Sequence, residues 1–186
     1  MILINTEENR ELVKKSPHKD FLDLSIIYRC MVSSEDNQLG TILVDYDFMK
    51  LLKINEEELY ETARQNTKKL LPIKVKKLDD IVSEMLEQGI KEESDLYVIS
   101  NDIGMNGAVC ITYEEELYSL SQKLDSDLYI LPSSIHEVIV LPSRPEDKLW
   151  LKELVRNVNE EQVSKEERLS YNIYYYERKN RKILIA

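Results

Sequence analysis

The sequence predicts an α+β fold: mixed or antiparallel sheets built from hairpins and covered by amphipathic helices. Three observations carry this expectation. Short runs rich in branched and aromatic residues, such as FLDLSIIYRCMV at 21–32 and DLYVIS at 95–100, read as strands. Polar segments of hairpin length, SSEDNQLG and NDIGMNG, follow them. Between the strands lie runs with apolar residues at i, i+3 and i+4, the period of an amphipathic helix. The 186 residues suit one domain or two small ones sharing an interface. We divide them into an N-terminal half, 1–90, and a C-terminal half, 91–186, together forming one compact unit.

MILIN opens the chain as a short strand, and EENRELVKK follows as a short helix that Pro17 prevents from continuing. FLDLSIIYRCMV and TILVDY form a hairpin about SSEDNQLG, and DFMKLLK is one helical turn. The next helix has a sharp start. Asn55 caps it, and Glu58 stands three residues on, as a capping box requires. Consecutive glutamates favour the positive end of its dipole. Leu59, Ala63, Thr67 and Leu70 or Leu71 trace one face, and Pro72 closes the helix. IKV is a short strand. A helix through Leu78, Ile81, Val82, Met85 and Leu86 follows, with Gly89 as its C-terminal cap.

DLYVIS and AVCIT are two strands joined by the NDIGMNG turn. Thr112 and Glu115 cap the helix EEELYSLSQKL, which turns Leu117, Leu120 and Leu124 inward. DLYIL and HEVIVLP are strands, separated or bent at PSS. EDKLWLKELVRNVN is amphipathic through Leu151, Leu154, Val155 and Val158, and Ser164 with Glu167 caps a last short helix. YNIYYYER and KILIA end the chain as a hairpin. The segment EEELY occurs twice, at 56–60 and 114–118, which suggests a repeated βαββα unit.

Composition excludes several classes. Hydrophobic residues make up 42%, yet no apolar run approaches the length that spans a bilayer, about 20 residues. The N-terminus is too soon acidic for a signal peptide, so the expected location is cytoplasmic. Cys30 and Cys110 lie in apolar, strand-like contexts without a CxxC partner, so they read as reduced core residues. The net charge of −10 repels phosphate backbones. Two basic stretches oppose it, KKLLPIKVKK at 68–77 and RKNRK at 178–182; solvated faces offset by nearby acids account for them better than nucleic-acid binding.

The chemistry-bearing stretch is YILPSSIHEVIVLP, 129–142. It brings Ser133, Ser134, His136 and Glu137 together. A serine nucleophile needs a base within reach and an oxyanion hole. On an extended strand, Ser134 and His136 share one face and Glu137 points to the other, which spoils a local triad. No G-x-S-x-G elbow occurs. A bend accounts for the same residues. Pro132 supplies no ladder donor, and the serines bond the backbone groups left unpaired there. With only His18 and His136 in the chain, a histidine metal site is disfavoured. Asp20 with Asp23, or Asp45 with Asp47, is a common surface pattern rather than a Mg²⁺ site. No nucleotide loop occurs and no cofactor is implied. Tyr171, Tyr174 and Tyr176 are candidates for an interaction surface, against the plainer alternative that such residues alternate between core and solvent.

FLDLSIIYRC, EEELYETARQNT, LYVISNDIGMNGA, SDLYILPSSIHEVIVLP, VRNVNEEQVSKEERLS and IYYYER together resemble an uncharacterised domain-of-unknown-function family of clostridial gut bacteria. LYILPSSIHEVIVLP is the most specific of these stretches. The resemblance implies that the chain corresponds to the C-terminal portion of longer members, with an N-terminal segment missing. It implies no activity. The sequence therefore points first to a cytosolic, non-enzymatic interaction domain with a protein partner, an exposed tyrosine and aliphatic patch, and no cleft around His136. The alternative is a small hydrolase-like enzyme with His136 as base, Ser133 or Ser134 as nucleophile, and Glu137 or a distant acid orienting the imidazole.

Overall fold

The structure, a computed structural model, describes residues 1–33, 39–86, 94–132 and 134–186. Contacts divide the chain into two compact units, Met1–Pro72 and Ile73–Ala186. The sequence reading puts the division at 90/91. The contacts put it at Pro72, because Ile73–Lys77 pairs along its whole length with Tyr97–Asn101. The expected SSEDNQLG turn and the Gly89 cap fall largely or wholly outside the described residues.

In the first unit, β1 (Ile2–Asn5), α1 (Arg10–Lys15), β2 (His18–Phe21) and β3 (Leu24–Ile27) come first. The strands form an antiparallel sheet in the order β1-β3-β2. The run 21–32, expected as one strand, is broken twice. Leu22 takes a left-handed conformation (φ 58°) and reverses the chain between β2 and β3. After Tyr28, β4 (Arg29–Ser33) leaves to pair with β5 (Leu39–Leu43). β3 is buried throughout, whereas Met31 and Val32 of β4 are exposed. One strand cannot serve both environments without a joint, and Tyr28 is that joint: it is buried, and its carbonyl accepts the Val44 N–H at 2.9 Å. Ile2, Ile4, Val13 and Ile27 form a local core. α2 (Tyr46–Leu52) starts on Asp45, whose carboxylate accepts the Phe48 N–H at 2.7 Å. α3 (Glu56–Leu70) carries the expected capping box. Asn55 Oδ1 accepts the Glu58 N–H at 2.9 Å, and Glu58 Oε2 accepts the Asn55 N–H at 3.0 Å.

The second unit is built on one six-stranded antiparallel sheet. Its elements are β6 (Ile73–Lys77), α4 (Leu78–Leu86), β7 (Tyr97–Asn101), α5 (Glu114–Lys123), β8 (Leu128–Leu131), β9 (Val138–Pro142), α6 (Lys148–Glu161), β10 (Tyr174–Glu177) and β11 (Lys182–Ile185). The spatial order is β11-β10-β8-β9-β7-β6. Period-two alternation sorts its side chains onto two faces. Tyr129, Leu131 and Leu141 pack with Leu151 and Val155 of α6 and with Ile173. Opposite them, Ile130 pairs with Val140 and Tyr174, and all three are fully buried. Burial of each such side chain stabilises the fold by about 1.5–3 kcal/mol.

AVCIT is not a strand. Gly107–Thr112 is a 3₁₀ turn whose Ala108, Val109, Cys110 and Ile111 are buried and which lies against β7 and β9. A run apolar on every side suits a fully enclosed turn as well as a strand. Thr112 does not cap α5, because its hydroxyl donates back to the Val109 carbonyl at 2.7 Å. Ser164 opens no helix; its carbonyl accepts the N–H groups of Glu167 and Arg168 in a turn. The two EEELY segments open α3 and α5, but a 3₁₀ turn rather than a strand precedes α5.

Candidate functional site

Between β8 and β9 the chain leaves the sheet at Pro132 and returns at Val138. The backbone in this bend is satisfied from two sides. From the segment after α6, Ser170 N–H donates to the Pro132 carbonyl (2.8 Å), and Ile135 N–H donates to the Glu167 carbonyl (2.9 Å). From the loop after β7, Gly107 N–H donates to the His136 carbonyl (2.9 Å), and Ala108 N–H to the Ile135 carbonyl (3.1 Å). The Ser100 hydroxyl adds a second donor to the His136 carbonyl at 2.8 Å. Buried backbone groups require such partners once they leave the ladder.

Of the candidate residues, Ser133 lies outside the described set. Ser134 Oγ accepts the backbone N–H of His136 at 3.0 Å, a local turn bond of the kind expected at a bend. The imidazole is held at both nitrogens. Nδ1 faces the Asn106 N–H at 3.2 Å and is therefore the acceptor. The ring proton of the neutral form is then on Nε2, which donates to Glu167 Oε1 at 3.4 Å. Glu137 is exposed and does not orient the ring. The orienting acid is the distant one, Glu167, contributed from 31 residues away. Sequence spacing offered no signal for this pairing: Glu167 was legible only as a partner for Ser164.

The loop 101–107 is fastened to the same bend. The Asn101 side chain, itself buried, holds the loop's interior: Nδ2 donates to the Met105 carbonyl (2.7 Å), and Oδ1 accepts from Ile103 N (3.2 Å) and Met105 N (3.3 Å). Gly104 and Asn106 take positive φ, 69° and 54°. Gly107 is required by proximity. A β-carbon there would stand 2.6 Å from Asn101 N and 2.7 Å from the His136 carbonyl oxygen, and would also collide with Ser100 Oγ. This fastened loop presents Ile103 and Met105 to solvent, 59% and 56% exposed.

On the other side of Glu167, Arg168 forms an isolated bridge with Ser134. Its guanidinium lies over the Tyr171 ring (5.5 Å to the centroid) and donates to the Tyr171 hydroxyl at 2.6 Å. Tyr171 is 37% exposed. Tyr174 and Tyr176 correct the expected tyrosine surface: both are fully buried, because β10 is an interior strand of the sheet and its even-numbered positions share the face of Ile130.

Neither of two cavities in this unit includes the bend. One, of about 370 Å³, is lined by Val75, Lys76, Asp80, Tyr97, Glu116 and Lys123 among others. The other, of about 710 Å³, lies by Tyr118, Asp125, Asp127, Arg178 and Arg181. Both mix cations with acids. The lysine run 68–77 is divided between elements: Lys68 and Lys69 end α3, while Lys74, Lys76 and Lys77 lie on β6. Lys76 is paired with Glu84 at 2.7 Å, and this bond holds the Glu84 carboxyl below its usual range. In RKNRK, Arg178 pairs with Asp125 (2.7 Å), and Arg181 stacks on Tyr118 (3.6 Å) and pairs with Glu115 (3.4 Å). Among the described residues, no group of three or more His, Cys, Asp or Glu is placed to hold a metal. Among the same residues, no helix is long and apolar enough to cross a membrane.

Comparison with known proteins places a family model, described as a family of unknown function, on residues 1–178. No curated protein and no solved structure matches the chain.

Proposed function

The chain belongs to that family of unknown function, DUF5688, and we propose that it is a cytosolic, non-enzymatic interaction domain that binds a protein partner through the fastened loop 101–107 and Tyr171. The observation that carries this reading is the pairing of exposed apolar side chains with a tied-down backbone. Ile103 and Met105 stand in solvent on a loop whose backbone is bonded to Asn101 and His136. Preorganised apolar anchors bind with less entropic cost than mobile ones. Tyr171, fixed by Arg168, joins them through the contacts Asn106–His136, His136–Glu167 and Ser134–Arg168. Aromatic, Met and Arg side chains are the types enriched at interface cores.

The hydrolase alternative has one supporting observation, the His136–Glu167 pair. It is the weaker reading. A general base needs a free ring nitrogen. Here Nδ1 is taken by a backbone N–H and Nε2 by the carboxylate, and the Ser134 hydroxyl bonds the backbone instead of the ring. The test is site-directed photocrosslinking from position 105 in cells, with an exposed β6 position as control. The interaction reading expects a discrete adduct at 105, competed by unlabelled domain and lost on Ile103→Asp. Indiscriminate labelling from both positions overturns it. Ester or amide hydrolysis abolished by His136→Gln would establish the alternative.

A further inference from the structure

The two edges of the six-stranded sheet are built differently. β6 is the edge I-K-V-K-K, and β11 is the edge K-I-L-I. Lysines on an edge strand discourage a second chain from adding to it. β11 has no charge between its ends, and Leu184 and Ile185 are 48% and 47% exposed. Among the described residues, the peptide groups of β11 that have no strand partner can be identified from the register. Ala186 N–H donates to the Ile173 carbonyl at 3.0 Å, and Tyr175 stands opposite Leu184. In an antiparallel ladder the bonding direction alternates. Residues 182, 184 and 186 therefore turn their peptide groups toward β10, and Ile183 and Ile185 turn theirs outward.

We infer that β11 pairs antiparallel with β11 of a second copy of this chain, joining the two six-stranded sheets across a two-fold axis at Leu184. This goes beyond the interaction reading above and does not depend on it. A second copy is the occupant because the strand complements itself. With Leu184 opposite its own counterpart, Ile183 of each copy faces Ile185 of the other, so the outward-facing residues form hydrogen-bonded pairs. Every cross-strand pair at the centre is aliphatic, which favours association. Lys182 falls opposite Ala186, so the lysines of the two copies lie at opposite ends. The same operation on β6 fails. A two-fold at Lys74 or Lys76 sets a lysine against itself, and one at Val75 sets Lys74 against Lys76. Like charges directly opposite are destabilising.

The experiment is sedimentation of the full chain over a concentration series, with two variants. The chain is expected to dissociate on dilution through the micromolar range, as suits a small interface. Ile185→Pro removes an outward donor and leaves the bonds to β10 intact; it is expected to be monomeric at every concentration and to keep its melting temperature. Leu184→Cys, in a Cys30→Ser background, places two thiols at the closely spaced, non-hydrogen-bonded pair on the axis, within disulfide reach. It is expected to oxidise to a covalent dimer through residue 184, whereas Lys182→Cys remains unlinked. A chain that is monomeric throughout, with Leu184→Cys unlinked, overturns the inference. So does a dimer that forms without the 184–184 link. If Ile185→Pro fails to fold, the 184 link decides alone. Ile103→Asp leaves the self-association unchanged, so failure of the partner-binding reading is distinguishable from failure of this one.

Discussion

Gly107 and His136 are in backbone contact: the glycine N–H donates to the histidine carbonyl at 2.9 Å, and a β-carbon on the glycine would stand 2.7 Å from that oxygen. Ser100 Oγ also stands in the way, but turning that side chain aside leaves the backbone atoms of Asn101 and His136, which cannot rotate away. Gly107→Ala must push the 3₁₀ turn away from β7 and β9. The expected cost is about 3 kcal/mol, at the upper end for overpacked sites. Chemical denaturation measures it, and a loss below half that figure would show that the loop can retreat.

The two bonds to His136 differ in weight. Nδ1 satisfies a backbone donor, Asn106 N–H, whereas Nε2 meets a half-exposed carboxylate. His136→Ala is expected to cost about 1–2 kcal/mol, the penalty for an unsatisfied donor. It should also raise amide exchange at Asn106. Glu167→Gln is expected to cost under about 1 kcal/mol, as for exposed ion pairs. Hydrogen exchange of the two variants separates the roles.

Helix starts supply a matched pair. Asn55 caps α3 reciprocally with Glu58, but Thr112 bonds the Val109 carbonyl instead of capping α5. Asn55→Ala is expected to cost about 1 kcal/mol. Thr112→Val should cost less, since it opens no helix terminus. Thermal melts of both variants provide the comparison.

Alkaline pH should destabilise the second unit. Burial pushes the Cys110 thiol up to about 12, and the hydrogen bond to Asp127, with burial, pushes the Tyr175 hydroxyl up to about 12. Both are acids whose folded pKa exceeds the unfolded value, 9.0 for the thiol and 10.0 for the phenol. The unfolded chain thus releases protons first. Their contribution is fully present below pH 9 and is lost as pH rises toward 12. Tyr175→Phe should flatten the fall above pH 10 in a pH series of denaturant midpoints. An unchanged slope would mean the Asp127 bond is not maintained.

Ile103→Asp and Met105→Asp change exposed side chains that no described bond requires. Their effect on stability is expected within about 0.5 kcal/mol. A larger loss would mean these side chains are packed rather than presented to a partner.

Local signals were read correctly where the deciding interaction lies within a few residues. The Asn55–Glu58 box, the stop at Pro17 and the terminal hairpin of β10 and β11 depend on neighbours in sequence. The α+β class and its antiparallel strands followed from the two periodicities of the apolar residues. An apolar run consistent with more than one structure carries no such local signal. AVCIT could be a strand or an enclosed turn, and the close approach of Asn101 and His136 to Gly107 makes it the turn. Tyr174 and Tyr176 could face solvent or core, and the register of β10 puts them on the buried face of the sheet that Ile130 shares.

That PSSIHE bends or interrupts a strand was legible locally, because proline lacks the donor a ladder needs. What the interruption holds depends on contacts that the folded chain brings together. Asn106 and Glu167 reach His136 from 30 and 31 residues away, through a loop and a post-helical turn that meet only once the sheet has formed. Pairings over such distances are set by strand order and loop closure, and no local spacing encodes them.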